Sequence, residues 1–235
     1  MKVRIKFRKY GALRFIGHLD VMRFFQKVMR RADIPIAFTG GYSPHMIMSF
    51  ASPLGIGVTS DGEYFDIELT EAINSEEAVR RMNAEMVEGI EVVSFRQIAE
   101  EKKMTGMAIV AAADYLVSLK EGEMPADLEK QCDRFMALQE ILIVKQTKRS
   151  EKEVNIRPMI YQMEVRSDGI YMKLAAGSAE NLKPELVMTA FLRSAGIDEE
   201  TVQFSFHRLE MYADTGSEGN RELVTLESLG QEIAL

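Results

Sequence analysis

Residues 2–8 alternate without a break, Val3, Ile5 and Phe7 falling on one side of an extended chain and Lys2, Arg4, Lys6 and Arg8 on the other. That period of two predicts a strand with one buried and one polar face. After Tyr10-Gly11 the period changes. Leu19, Met22, Phe25, Val28, Met29 and Ala32 recur at helical spacing and predict a helix over 18–31 with those residues inward. Asp20 falls in its first turn, where the helix dipole favours a negative charge, and Pro35 ends it. Residues 36–39 read as a short strand. A second alternating strand follows, with Phe65, Ile67 and Leu69 opposite Tyr64, Asp66 and Glu68. Asn74-Ser-Glu-Glu77 fits a capping box opening a helix with Val79, Met82 and Met86 inward and Gly89 at its end. Residues 91–98 close the series as a strand. The order β-α-β-β-α-β is the ferredoxin-like pattern, with both helices on one sheet face and the other face open. Its first and third strands are neighbours, so the basic residues of 2–8 are expected beside Asp66 and Glu68 and partly neutralised by them.

Residues 100–106 (EEKKMTG) are polar and read as a linker, after which the pattern starts again. A strand is expected over 109–120, then a helix opened by Pro125 with Leu128, Cys132, Phe135, Leu138 and Leu142 inward. The stretch 141–146 turns rich in β-formers. Asp168-Gly169 between 161–166 and 170–174 is a hairpin signal. Pro184 opens a further helix with Leu186, Ala190 and Phe191 inward, and 201–211 supplies a closing strand carrying Phe204 and Phe206. The expected fold class is α+β: two tandem ferredoxin-like domains with helices on one sheet face. The first, at 1–99, holds the basic helix and a glycine-rich loop. The second occupies 107–212, and 213–235 reads as a flexible tail, with local docking of its last apolar residues as an open alternative.

Composition narrows the class. Hydrophobic residues make up 46% and charged residues 28%, ordinary values for a soluble globular chain. No apolar run approaches the roughly 20 residues of a membrane-spanning helix, so no membrane partner is expected. The opening MKVRIKFRKYG lacks the apolar centre of a signal peptide. Cys132 is the one cysteine, which excludes an internal disulfide and a cysteine-based metal cluster within the chain and makes the cytoplasm the expected location. Charge is distributed unevenly. Residues 1–50 hold ten Lys or Arg against two Asp, a net of +8, so the remainder carries −15 to reach the total of −7. Such asymmetry points to an anionic partner for the first part, unless the two parts simply attract each other.

Candidate chemistry concentrates between Gly11 and Gly62. Arg23, Lys27 and Arg31 follow one another at i, i+4 with Arg30 beside them, a like-charge stripe that repels itself. Its retention fits an anionic partner, the plain alternative being a solvated face. Gly40-Gly41, Pro44 and Pro53 describe a stiff loop that carries Tyr42, Ser43, His45 and Ser49. Arg14, His18 and Asp20 lie together at a strand-to-helix junction. His18 and His45 meet if the loop folds back over that junction, and with Tyr42, Ser43 and Ser49 they form an inventory for metal-free acid–base chemistry such as RNA cleavage by its own 2′-hydroxyl. The alternative is structural, His18 starting the helix and His45 packing on Pro44. His207 reads as structural. Arg157 in NIRPMI is a further candidate anion contact, or else a salt-bridge partner. Metal-ligand spacing, a phosphate-binding loop, a dinucleotide fingerprint and a nucleophile elbow are all missing, and no metal or cofactor is expected.

The long segment LRFIGHLDVMRFFQKVMRRADIPIAFTGGYSPHMIMSFASPLGIGVTSDGEYFDIEL resembles the signature of the radical SAM-linked family, a bacterial family of unknown function. KEVNIRPMI resembles that family's second-half motif. The resemblance implies a stand-alone companion of a cobalamin-binding radical SAM protein, to whose C-terminus the same module is fused in some members. It also implies a role linked to RNA or a ribosomal component. This chain has no CxxxCxxC triad, so it does not itself hold the radical SAM cluster. It departs from the family at Met46-Ile47-Met48, where a basic residue often follows Pro-His. The expected function is a non-catalytic accessory protein that binds or presents an RNA or ribosome-linked substrate. The alternatives are a metal-independent endoribonuclease using His18 and His45, and a purely protein-binding adaptor.

Overall fold

The computed structural model describes residues 1–146, 151–178, 180–217 and 219–234. They form a mixed α+β protein of largely antiparallel strands and few helices, divided into two compact units. One unit is Met1–Ala111 together with Arg208–Leu235, and the other is Ala112–His207.

The first unit is built from β1 (Lys2–Lys9), α1 (His18–Arg31), β2 (Met48–Phe50), β3 (Thr59–Glu68), α2 (Ser75–Ala84), β4 (Ile90–Gln97) and the four-residue α3 (Gly106–Ile109). β1 runs antiparallel to both β3 and β4, and β2 pairs antiparallel with β3, so these four lie in the order β4-β1-β3-β2. Lys2 stands opposite Glu68 and Arg4 opposite Asp66, as the alternation predicts. The strand expected at 36–39 is reduced to isolated bridges, Ile36 to Leu69 and Phe38 to Met46. Pro35 and Gly40-Gly41 confine that stretch, and the ladder against β3 forms later, at β2.

A cluster of rings holds α1 on the sheet: Phe25 lies 4.6 Å from Phe65 and 4.8 Å from Phe7 between centroids. Its buried arc is Val21, Phe25, Val28 and Met29, extended by Ala32. Leu19, expected inward, is 58% exposed. At 3.6 residues per turn it lies about 200° around the helix from Val21. The capping box of α2 is half formed. Asn74 Oδ1 accepts the Glu77 amide, while the Glu77 carboxylate turns instead to Arg80 and Arg81.

The second unit contains β5 (Val110–Glu121), α4 (Leu128–Ala137), β6 (Leu142–Gln146), β7 (Glu151–Asn155), β8 (Ile160–Arg166), β9 (Gly169–Ala175), α5 (Pro184–Ser194) and the first residues of β10 (Gln203–Asp214). Its strands follow the order β10-β5-β9-β8, while β6 and β7 form a separate two-stranded antiparallel sheet. Cys132 and Phe135 of α4 and Val187, Met188, Phe191 and Leu192 of α5 are buried in its core, with the Phe135 and Phe191 ring centroids 5.5 Å apart. Leu138 and Leu142, expected on the inward helix face, are exposed because α4 ends at Ala137.

Two expectations about the first unit are corrected by the end of the chain. Residues expected as a tail from 213 return to it: β11 (Leu223–Thr225) pairs with β10 and β12 (Gln231–Glu232) with β4. Leu226 and Ile233 are buried there. The later residues of β10 lie beside β3, and a Cβ on Gly62 would stand 2.8 Å from Glu210 Cα. Only glycine permits that approach. The β1 face opposite α1 is therefore not open. Arg4 is 2% exposed, reached by the backbone of Met104 and Leu226.

Candidate functional site

The polar face of β1 is consumed by carboxylates. Arg4 binds Asp66 through two bonds of 2.8 and 3.0 Å and donates two further bonds to the carbonyls of Met104 and Leu226. Asp66 also accepts the Gly106 amide at 2.7 Å. Lys6 reaches Glu210 at 2.7 Å and Glu227 at 3.0 Å. Burial works to lower the Lys6 pKa, but those two carboxylates outweigh it and hold the ammonium above its ordinary value. Tyr64 donates to Glu210 at 2.6 Å, and burial with that negative neighbour pushes its phenol up. Arg8 meets Glu91 at 3.1 Å and Asp61 at 3.6 Å.

At the end of β1 a second group of charges lies buried. Arg208 grips Glu63 at 2.6 to 2.8 Å and donates to the Ser52 carbonyl at 2.8 Å. Lys9 is 2% exposed and donates to the Ile16 carbonyl at 3.0 Å. Burial lowers the Lys9 pKa, with Glu63 opposing and Arg208 adding to the shift. His18 stands edge-on to Phe50, with centroids 4.9 Å apart. Its pKa is lowered by burial, raised in part by Glu63 and lowered further by Lys9, so the ring is uncharged at neutral pH. Lys9, His18 and Glu63 line, together with Pro53 and Leu54, a cavity of about 10 Å³, room for about one water. Gly57 takes φ of +89°, open to glycine, and its amide donates to the Arg14 carbonyl, fastening this loop to the strand-to-helix junction.

Pattern reading passed over Lys9, Glu63 and Arg208. One signal was present: Lys9 continues the apolar side of β1, after Val3, Ile5 and Phe7. Arg208 gave none, because its partner is 145 residues away.

The two histidines do not form a pair. Thr39 N donates to the His45 carbonyl, and Ile47 N to the Ala37 carbonyl, so this stretch closes on itself. His45 is exposed, its Nδ1 3.1 Å from Thr39 Oγ1, whereas the 53–58 loop is what folds over His18. Tyr42, Ser43 and Pro44 are exposed beside His45, and Ser49 is half-buried in β2 opposite Asp66. Among the described residues no acid lies within ion-pair distance of Arg157. It donates to the Met136 and Ile160 carbonyls, bracing the end of α4 against the start of β8.

The α1 cations differ from all of these. Arg23 has an exposed, i,i+3 contact of 3.5 Å with Asp20. Lys27, Arg30 and Arg31 are exposed, and among the described residues no acid lies within ion-pair distance of them. Arg30 lines a groove with Asp33, Phe38, Met46 and Glu71. Arg14 holds its guanidinium 4.7 Å over the Phe15 ring. Among the described residues no group of three His, Cys, Asp or Glu is placed to hold a metal ion, and no helix is long and apolar enough to cross a membrane.

A family model described as "Uncharacterized protein conserved in bacteria (DUF2344)" matches residues 2–184. No curated protein matches the chain. A chain of the solved "Crystal Structure of a Cbf5-Nop10-Gar1 Complex" is similar over 89% of this one, at 13% identity and a TM-score of 0.46. The match spans 48% of that longer chain.

Proposed function

The chain belongs to the DUF2344 family of proteins conserved in bacteria, and from that premise we propose that it is a non-catalytic accessory protein that binds RNA beside a cobalamin-binding radical SAM enzyme. The observation that carries the RNA part is the contrast between two sets of cations. Arg4, Lys6 and Arg8 of β1 are paired with Asp66, Glu91, Glu210 and Glu227, whereas Lys27, Arg30 and Arg31 project from α1 beside a loop free of acids from Gly40 to Gly57. A cationic stripe with its charges unspent is suited to a phosphate backbone. The radical SAM partner rests on the resemblance of the segment from Leu13 to Leu69. The reading of each unit as ferredoxin-like is supported by the orders β4-β1-β3-β2 and β10-β5-β9-β8.

The test is RNA binding followed against salt. The wild-type protein is expected to bind at low ionic strength and to lose affinity steeply as salt rises. An Arg23→Ala/Lys27→Ala/Arg30→Ala variant is expected to lose most of that affinity while keeping the radical SAM partner in co-purification. Wild-type protein that ignores RNA at low salt, or a triple variant that binds it equally well, sinks the RNA part and leaves the protein-binding adaptor.

A further inference from the structure

The exposed aromatic rings of the described residues lie on either side of one helix in the sequence. Among the described residues, Tyr10, Phe15, Phe38 and Tyr42 are the aromatic side chains exposed to solvent, and all four flank α1 in sequence. Tyr42 projects completely, at 110% of reference exposure, from the tip of the 39–45 loop. Phe38 shares the groove of Arg30 near the end of α1. Phe15, 60% exposed, precedes the start of α1 and is already covered on one face by the Arg14 guanidinium. Between these two groups run Arg23, Lys27 and Arg30, a stripe that Leu19 continues at helical spacing toward Phe15.

Rings this exposed at both ends of a cationic helix leave open faces to a stacking ligand. Double-stranded RNA is recognised through phosphates, 2′-hydroxyls and groove shape, and offers no open base face to an aromatic side chain. A single strand offers a base every nucleotide, and such bases stack on aromatic and guanidinium planes while the groove's cations follow the backbone. Resting on the RNA-binding reading, we propose that the segment bound along α1 is single-stranded, with bases stacked on Tyr42 and Phe38 at one end and on the Phe15–Arg14 pair at the other. A helix of 14 residues is about 21 Å long, which sets a footprint of a few nucleotides between the two stacking points.

The chain contains no tryptophan, so Tyr42→Trp introduces a single fluorescent reporter at an exposed position. Titration of that variant with a 12-nucleotide oligouridylate, and with a blunt RNA duplex of equal length, reads the stacking directly. The single strand is expected to quench the fluorescence and to bind more tightly than the duplex. Tyr42→Ala and Phe15→Ala are each expected to weaken single-strand binding roughly 5- to 100-fold, with Tyr42→Phe retaining it. Duplex binding equal to or tighter than single-strand binding, without quenching and with Tyr42→Ala unchanged, overturns the stacking proposal and leaves the electrostatic reading intact. Failure of both RNAs to bind at low salt overturns the two together.

Discussion

The first 50 residues place five cations on β1 and five on the segment from Arg14 to Arg31, and the two sets meet opposite fates. On β1, Arg4, Lys6 and Arg8 are matched by carboxylates from β3, β4, β10 and the 227–229 turn, while Lys9 is sealed beneath the Pro53–Leu54 loop. On α1, Lys27, Arg30 and Arg31 are exposed, with no acid within ion-pair distance among the described residues. A raw charge count treats the two sets alike. What separates them is where distant strands return, and that decides which positive charge remains to attract a partner.

The largest effects should appear on the buried side. Arg208→Ala leaves the Glu63 carboxylate uncompensated and is expected to cost about 3–5 kcal/mol in denaturant unfolding. The paired change Arg208→Met with Glu63→Leu should recover most of that loss. A single-variant cost below about 1 kcal/mol would mean that the pair is solvated, and the comparison would break. Gly62→Ala comes next, because its Cβ meets the backbone of Leu209 and Glu210; a loss of about 1–3 kcal/mol is expected by the same measurement.

The α1 side should behave in the opposite way. Arg23→Ala, Lys27→Ala and Arg30→Ala are each expected to shift stability by no more than about 0.5 kcal/mol. Together they should reduce the slope of log affinity against log salt for single-stranded RNA by about 2. A triple variant with a lowered melting temperature would show that these residues hold the fold after all.

The smallest effect belongs to His18. Its folded pKa lies below the ordinary 6.5, so between those two values the unfolded chain binds the extra proton and the folded protein does not. Stability is thus expected to fall as pH drops from above 6.5 through the lowered value, and then to level off with respect to this group. His18→Gln should flatten that part of the profile, measured as melting temperature against pH. An unchanged profile would place the ring in ordinary solvent.

Much of the first unit was legible from short-range pattern. The helix over 18–31 and the placement of Arg4 beside Asp66 follow from the local periods of 3.6 and 2 and from one topological rule. Three things were not. Leu19 carries a helical spacing that suits the inside, yet lies outside because the arc is centred on Val21 and Phe25. The alternation on β1 describes a water-facing side, yet Arg4 is buried by chain that returns after residue 100. The His18–His45 pair depended on which part of a long loop folds back, and backbone bonds within 37–47 direct that part away. The exposed helix cations were visible from the start. That no acid among the described residues comes within ion-pair distance of Lys27, Arg30 and Arg31 became visible only with the fold.

The split composition of the first unit has a consequence in time. A ribosome delivers β1, α1 and β3 early, then makes the whole of Ala112–His207 before releasing Arg208. At 5–20 residues per second, those intervening hundred or so residues take roughly 5–20 s. During that interval Glu63 waits for Arg208, and Lys6 and Tyr64 wait for Glu210. The unit that is contiguous in sequence can finish first, although it is begun second. The unit carrying α1 is started before the other and completed after it, so its mature form appears only once the residues from Arg208 onward have been made.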